Sequence, residues 1–311
     1  MSAVCLGTMY FGTKVDEATS FAILDRYTAA GGTFLDTANC YAFWADGGTG
    51  AESEETIGRW LRSRGRRDQL TLATKVGAAP DDPAVPYGAH NREGLGRRRI
   101  REQAEQSLRR LGVDRIDLYY AHADDRRTPF EETLGAFGEL VADGSVGLLG
   151  ASNHTSWRLA LARDVARREG LPGYAAIQQR HSYLEARRLR VAPPDAIQLP
   201  VTAELLDYAR TEPDLTVLAY SPLLLGAYTR PEVPLPEDYD TPAAPARLRV
   251  LREVAAELGA TANQVVLAWL LGGDPPVLPV IGVSSVAQLD ECLGAADLTL
   301  DADQRRRLDA A

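Results

Sequence analysis

Ile116-Asp-Leu-Tyr-Tyr-Ala-His122 is one of three short apolar runs that decide the fold of this chain; the others are Thr33-Phe-Leu-Asp36-Thr37 and Leu70-Thr-Leu-Ala-Thr-Lys75. Each run has the length and composition of a β-strand and carries a polar residue at or next to its end. The carboxyl ends of parallel strands in an α/β protein all point to one face. We therefore expect Asp36, Lys75 and His122 to converge there with Tyr41, which follows the first of these strands.

Strand-like and helix-like segments alternate from end to end without a linker or a change in composition. Eight such strands, each followed by a helix, predict a (β/α)₈ TIM barrel, an α/β fold in which residues 1–311 form a single domain. A long proline-rich loop is expected at about 225–245. A doubly wound open sheet is the weaker alternative, because no Gly-x-Gly-x-x-Gly turn follows an early strand.

Composition limits the classes of function. The chain has 311 residues, 45% of them hydrophobic, which is enough for a large core. Its 34 basic and 43 acidic residues give a net charge of −9, which argues against nucleic acid or an anionic membrane as partner. The three scattered cysteines, Cys5, Cys40 and Cys292, indicate a reducing compartment and neither a disulfide framework nor a metal cluster. With no signal-peptide pattern and no apolar stretch of membrane-spanning length, a soluble cytoplasmic protein is expected.

The four converging side chains have the chemistry of a proton donor. A free phenol has a pKa of about 10 and is a poor acid at neutral pH. A neighbouring Lys75 ammonium is expected to lower the pKa of Tyr41, and Asp36 is expected to keep Lys75 charged. His122 could orient a carbonyl oxygen or pass the proton. Each of these residues is unremarkable alone, and only their common position favours a functional site.

Nine short stretches carry a further signal: Leu6-Gly-Thr-Met9, 32–41, 50–58, Thr74-Lys-Val-Gly77, 117–122, Gly150-Ala-Ser-Asn153, Ile177-Gln178, Ala219-Tyr-Ser-Pro222 and Pro279-Val-Ile-Gly282. In this order, and over almost the whole chain, they resemble the aldo-keto reductase family. The resemblance implies a TIM barrel with a nicotinamide cofactor extended across its C-terminal face. It also implies reversible reduction of an aldehyde or ketone, with Tyr41 as proton donor assisted by Lys75, Asp36 and His122.

The resemblance further implies which residues contact the cofactor. Ser152, Asn153 and Gln178 match the contacts to the carboxamide, and Tyr220 matches the ring that stacks on the nicotinamide. Two more groups match the phosphate sites: Ser221, Leu223 and Gly226 for the pyrophosphate, and Gly282, Ser284, Ser285, Gln288 and Glu291 for the adenosine phosphate. For Ser284 and Ser285, capping of the last predicted helix is an equally good interpretation.

Two departures from the family pattern bear on the cofactor and on the barrel. The family commonly places a basic residue near Ser284 or Ser285, and this chain has none there; Cys292 also stands where an asparagine is frequent. NADPH is expected, with NADH as the alternative. Because Met1 lies almost at the first strand, the hairpin that usually closes the bottom of the barrel is expected to be absent.

The sequence gives the substrate only in outline. Phe11, Phe43 and Trp44 are candidates for an apolar wall around a small-molecule carbonyl substrate, with Tyr10 and Tyr87 as neighbours. The oligomeric state stays open. Three alternatives also stay open: a nicotinamide-binding regulatory barrel like the channel-associated members of the family, a non-redox barrel enzyme, and an NAD-dependent dehydrogenase of sugar alcohols.

Overall fold

A computed structural model describes residues 2–187 and 198–311. These residues form eight strands: β1 (Cys5–Gly7), β2 (Phe34–Asp36), β3 (Thr71–Val76), β4 (Ile116–Ala121), β5 (Val146–Ser152), β6 (Tyr174–Arg180), β7 (Thr216–Tyr220) and β8 (Val277–Gly282). Every neighbouring pair is parallel, and β1 pairs with both β2 and β8. The sheet therefore closes into a barrel in sequence order. The predicted (β/α)₈ barrel is confirmed and the open-sheet alternative is wrong.

Ten α-helices lie in the described residues: α1 (Glu17–Ala29), α2 (Glu52–Arg64), α3 (Arg97–Leu111), α4 (Phe130–Ala142), α5 (Ser156–Glu169), α6 (Ala203–Thr211), α7 (Ala244–Leu258), α8 (Ala262–Leu271), α9 (Val286–Leu293) and α10 (Ala302–Ala310). Helix α3 is preceded by a loop that contains Glu93. The Glu93 carboxylate accepts hydrogen bonds from the Gly77 and Asn39 nitrogens, which holds residue 93 in that loop.

Side chains fix the starts of several helices. Asp16 accepts a hydrogen bond from the Thr19 nitrogen at the start of α1, as expected for a capping residue. Thr261 and Gln264 form a reciprocal capping box at α8. Ser285 accepts from the Gln288 nitrogen at the start of α9. These bonds satisfy backbone donors that a helix cannot satisfy internally.

The hydrophobic core has two parts. Apolar side chains of the helices pack on the outer face of the barrel in two large clusters. A smaller cluster fills the interior of the barrel and consists of Cys5, Phe34, Ala73, Leu118, Tyr120, Ala176, Leu218 and Val280. The interior is therefore a packed core and not a pore, as is usual for this architecture.

The polar residues of the strand ends meet at one face of the barrel. Asp36, Ser152, Tyr220 and Gly282 are the last residues of β2, β5, β7 and β8. His122 directly follows β4. The expected convergence at the C-terminal face is confirmed.

Two further segments border this architecture. Residues 2–4 lead into β1 without forming a strand. The proline-rich region predicted at about 225–245 contains two short 3₁₀ helices, Leu224–Gly226 and Glu237–Tyr239, before α7 begins. The first of them contains Leu225, whose φ is 60°.

Candidate active site

Lys75 and Asp36 form a buried ion pair at the base of the candidate active site. Their side chains are 0% and 1% exposed. Lys75 Nζ donates hydrogen bonds to Asp36 Oδ1, to the Thr37 backbone oxygen at 2.8 Å and to Tyr41 Oη at 2.6 Å. A buried ammonium needs such partners, because an unpaired charge in the protein interior is strongly destabilising. Three of the four predicted side chains are thus in direct contact.

The Tyr41 hydroxyl lies between the two charges. It accepts from Lys75 Nζ and donates to Asp36 Oδ1 at 3.3 Å. Burial raises the pKa of Tyr41 well above that of a free phenol, and the Asp36 carboxylate adds to the rise. The pKa of Tyr41 is therefore raised overall and not lowered as predicted, because the loss of hydration outweighs the attraction of the Lys75 ammonium. Tyr41 keeps its proton at neutral pH, and this is the form that can donate one.

His122 faces Tyr41 as a neutral ring. The two ring centroids are 5.8 Å apart, with an interplanar angle of 78°. Burial, followed by the charges of Lys75 and Arg92, holds the pKa of His122 well below its usual value. Its Nδ1 lies 3.8 Å from Cys40 Sγ, and burial raises the pKa of that thiol. The imidazole can therefore offer one N–H donor without carrying a charge.

A cavity of about 890 Å³ runs from Tyr41 across the C-terminal face of the barrel to the start of α9. It is lined by nearly all residues that the sequence predicted: Asp36, Tyr41, His122, Ser152, Asn153, Gln178, Tyr220, Ser221, Leu223, Gly226, Gly282, Ser284, Gln288, Glu291, Phe11, Phe43 and Trp44. Two predicted residues do not line it. Lys75 lies behind Tyr41, and the Ser285 side chain caps α9.

Asn153 organises the middle of this cavity. Its Oδ1 accepts from Tyr220 Oη at 2.9 Å and from the Gln198 nitrogen at 2.8 Å. Its Nδ2 donates to the His122 backbone oxygen at 2.9 Å and to Ser152 Oγ at 3.0 Å. Both ends of the amide are therefore occupied, so Asn153 fixes the Tyr220 ring and the loop after β4 relative to β5.

Comparison with known proteins agrees with this geometry. Residues 3–311 match the family described as the Aldo/keto reductase family. The chain belongs to the aldo/keto reductase family. It is 34% identical over 321 residues to "Uncharacterized oxidoreductase YrpG" of Bacillus subtilis, which covers 99% of this chain and 91% of that protein.

Two fungal relatives extend the comparison. "Norsolorinic acid reductase stcV" of Emericella nidulans is 34% identical over 309 residues, covering 93% of this chain and 73% of that protein. "Aldo-keto reductase yakc [NADP(+)]" of Schizosaccharomyces pombe is 29% identical over 314 residues, covering 95% and 83%. This aldo/keto reductase is therefore an enzyme that reduces carbonyl groups, in a family that depends on nicotinamide cofactors.

The α9 end of the cavity could hold the phosphate-bearing part of such a cofactor. The Arg230 guanidinium donates to the Leu225 backbone oxygen and lies over Gly226, where a Cβ would stand 2.4 Å from Arg230 Nε. Gly226 also has a φ of +92°, which favours glycine. Asn263 Oδ1 is buried and has no hydrogen-bond partner among the described residues. A cation, the small residue beside it and a free acceptor thus line one end of the cavity.

Sequence reasoning missed Arg230, Thr229 and Asn263. Asn263 Nδ2 donates to Thr229 Oγ1 at 3.0 Å and to Glu291 Oε1 at 3.2 Å. These contacts join the loop of Arg230 to α8 and α9, which are far away along the chain. No local spacing indicates this contact. Thr229 and Arg230, three and four residues after Gly226, are close to a predicted site residue, but Asn263 is not.

Aromatic side chains form the other end of the cavity. The Phe43 ring lies 5.0 Å from Trp44 and 4.9 Å from Tyr87, measured between centroids. Trp44 is 51% exposed and Tyr87 38% exposed, whereas Phe11 is only 1% exposed and packs mainly into the core. The predicted apolar wall therefore consists chiefly of Phe43, Trp44 and Tyr87.

In residues 2–187 and 198–311, no three His, Cys, Asp or Glu side chains come together in a way that could hold a metal ion. No single helix there is long and apolar enough to cross a membrane, although α7 and α8 together meet that test by length and composition across a 95° bend.

Proposed function

We propose that this reductase converts an aldehyde or ketone to the alcohol with NADPH, and that Tyr41 is the general acid. The observation that carries the proposal is the contact of Tyr41 Oη with Lys75 Nζ, at 2.6 Å, on the wall of the cavity. When bound, the reduced nicotinamide supplies a hydride to the carbonyl carbon. Tyr41 Oη gives its proton to the carbonyl oxygen, which completes the alcohol.

Lys75, Asp36 and His122 assist the donor in different ways. The Lys75 ammonium stabilises the phenolate that remains after proton transfer, and Asp36 holds the ammonium in place. The neutral His122 ring donates an N–H to the carbonyl oxygen. A neutral donor suits this position, because a protonated His122 would be a second cation beside the Lys75 ammonium, and the two charges would repel each other.

The cofactor residues follow the same path along the cavity. Ser152, Asn153 and Gln178 line the part of the cavity that would take the carboxamide, and Tyr220 would lie against the nicotinamide. The backbone around Ser221, Leu223 and Gly226 would hold the pyrophosphate. Gly282, Ser284, Gln288 and Glu291 would line the adenosine phosphate end of the cavity, and the Ser285 hydroxyl would keep its place as the cap of α9.

Arg230 is the cation proposed to hold cofactor phosphate. Its guanidinium lines the cavity beside Gly226 and can bind a phosphate through charge-assisted hydrogen bonds. NADPH is the proposed cofactor because a relative's name includes NADP(+). NADH remains the alternative that the experiment below tests.

The proposed substrate is an uncharged carbonyl compound with an aromatic ring. Phe43, Trp44 and Tyr87 offer stacking and edge contacts near Tyr41. One relative of this chain is named as a reductase of norsolorinic acid.

We also infer a single-domain enzyme, residues 1–311, that acts in the cytoplasm on small molecules. The free thiols of Cys5, Cys40 and Cys292 support a reducing compartment. The net charge of −9 supports a partner other than nucleic acid.

A fluorescence titration with NADPH and NADH separately, followed by turnover of benzaldehyde, tests the proposal. We expect saturable binding, tighter for NADPH, and cofactor oxidation that depends on benzaldehyde. Binding without turnover of any carbonyl would favour the regulatory alternative. Preference for NADH with oxidation of sugar alcohols would favour the dehydrogenase. Failure to bind either nucleotide would contradict the proposal and leave a non-redox barrel enzyme.

A further inference from the structure

Gln178 contacts the same carboxylate as the proton donor. Its Nε2 donates to Asp36 Oδ2 at 2.9 Å, across 142 residues of sequence. The other oxygen, Asp36 Oδ1, accepts from Lys75 and Tyr41. Asp36 therefore has three donors, two on one oxygen and Gln178 on the other.

The Gln178 side chain is held in this orientation. It is 2% exposed, and its backbone oxygen accepts from Ser152 Oγ at 2.8 Å. A carboxylate only accepts hydrogen bonds, so the nitrogen of the amide must face Asp36. Gln178 thus links β6, which lines the middle of the cavity, to the buried ion pair.

We propose that Gln178 is a positioning residue for proton transfer: its amide fixes the Asp36 carboxylate so that Lys75 and Tyr41 share one oxygen. This role rests on the proposed function and is separate from any contact with the carboxamide. A carboxylate held from one side only could rotate, and rotation would alter its contacts with both Lys75 and Tyr41.

Gln178→Glu is the sharpest test, because the side chains have the same shape. A protonated carboxyl group can donate to Asp36 Oδ2 as the amide does. Once ionised it cannot donate, and two carboxylates at this distance repel each other. Turnover of the variant should therefore be near that of the wild type at low pH and fall as the introduced carboxyl group ionises.

Other titratable groups face this pair and must be considered in the pH profile. They are Cys5 of β1, Tyr41 in the loop after β2, Lys75 of β3, Tyr120 of β4 and His122 directly after β4. All are present in the wild type and in each variant. A new step in the pH profile of Gln178→Glu therefore belongs to the introduced carboxyl group or to its coupling with them.

Gln106→Glu is the control for an added carboxyl group. Gln106 lies in α3 and does not line the cavity, and its Oε1 accepts from Arg110 Nη1 at 3.3 Å, so a carboxylate keeps a donor there. Gln178→Met is the second test variant, because it removes the donor without adding a titratable group. Each variant is assayed for kcat with benzaldehyde at saturating NADPH from about pH 6 to about pH 9, for NADPH Kd and for melting temperature.

We expect Gln178→Glu to lose about tenfold or more in kcat between these pH limits beyond any loss in the wild type. The kcat of Gln178→Met should be reduced by a similar factor at every pH, and Gln106→Glu should show no new step. A wild-type profile for Gln178→Glu, or a wild-type kcat for Gln178→Met, would overturn the inference. If Gln178→Glu does not fold, Gln178→Met decides alone. An inactive wild-type enzyme would instead refute the proposed function.

Discussion

Lys75 Nζ lies 2.6 Å from Tyr41 Oη and 4.7 Å from the centroid of the same ring. The ammonium therefore contacts the phenol oxygen while it stays bound to Asp36. This arrangement joins the proposed chemical step to the stability of the barrel interior. A substitution of Tyr41 should leave the ion pair of Asp36 and Lys75 in place, whereas a substitution of Lys75 removes one of its two charges.

Tyr41→Phe should abolish most of the proposed reduction and preserve cofactor binding. The change removes the proton donor and keeps the ring, so we expect kcat with benzaldehyde to fall by about 100-fold or more. NADPH Kd, measured by fluorescence titration, should stay close to that of the wild type.

Tyr119→Phe is the control for this variant. The Tyr119 hydroxyl is buried and has no hydrogen-bond partner among the described residues, so its loss should not reduce activity. Near-normal turnover of Tyr41→Phe would show that another group donates the proton.

Lys75→Met should destabilise the fold as well as reduce turnover. The variant leaves the Asp36 carboxylate buried without its cation, and breaking such a pair costs about 3–5 kcal/mol. The free energy of unfolding from urea titrations measures the effect.

The double variant Asp36→Asn with Lys75→Met separates stability from catalysis. Without a buried charge it should regain part of the lost stability, but it should remain poorly active because Tyr41 has lost both charged partners. Additive losses in the two single variants would contradict the direct pairing of Asp36 and Lys75.

Because His181 stays neutral in the folded protein, the free energy of unfolding should decrease as the pH falls. Burial, with a smaller effect of Arg247, lowers its pKa to about 4. An unfolded chain, with a histidine pKa of about 6.5, binds more protons in this range. The stability from neutral His181 is therefore present above about pH 6.5 and is lost as the pH falls towards 4.

His181→Gln removes this contribution and leaves His122 and His154, whose pKa values are also lowered, in place. In urea titrations between about pH 7 and about pH 4.5, the pH slope of its unfolding free energy should be smaller by up to about 1.4 kcal/mol per pH unit. Equal slopes in the variant and the wild type would argue against a neutral His181 in the folded protein.

Trp44→Ala should weaken recognition of an aromatic substrate. Loss of one aromatic contact should raise KM for benzaldehyde about three- to tenfold and affect KM for acetaldehyde less. Trp157→Ala is the control, because Trp157 is 55% exposed, similar to 51% for Trp44, but does not line the cavity. Equal effects of both changes on KM would argue against the proposed aromatic wall.

Arg230→Met should weaken cofactor binding. Removal of a charge-assisted phosphate contact should raise NADPH Kd about tenfold or more, as measured by fluorescence titration. Arg249→Met, on the exposed face of α7 where Arg249 pairs with Glu253, is the control. An unchanged NADPH Kd would place the phosphate contact elsewhere.

Much of the site could be predicted from strand ends alone. Asp36, Lys75 and His122 lie at or beside the ends of strands, and parallel topology brings such residues to one face. Ser285 shows the limit of this reasoning. Phosphate binding and helix capping both fit its position, and the structure shows its hydroxyl capping α9.

The sequence by itself determined the alternation of strands and helices, and with it the barrel and the face that carries the polar residues. Only the tertiary structure decided which atoms meet. It brought Gln178 to Asp36, placed Arg230 in the cavity and reversed the expected direction of the Tyr41 pKa shift. Periodicity records which face of an element is buried. Hydrogen-bond partners and the hydration of a charge depend instead on residues that are distant along the chain.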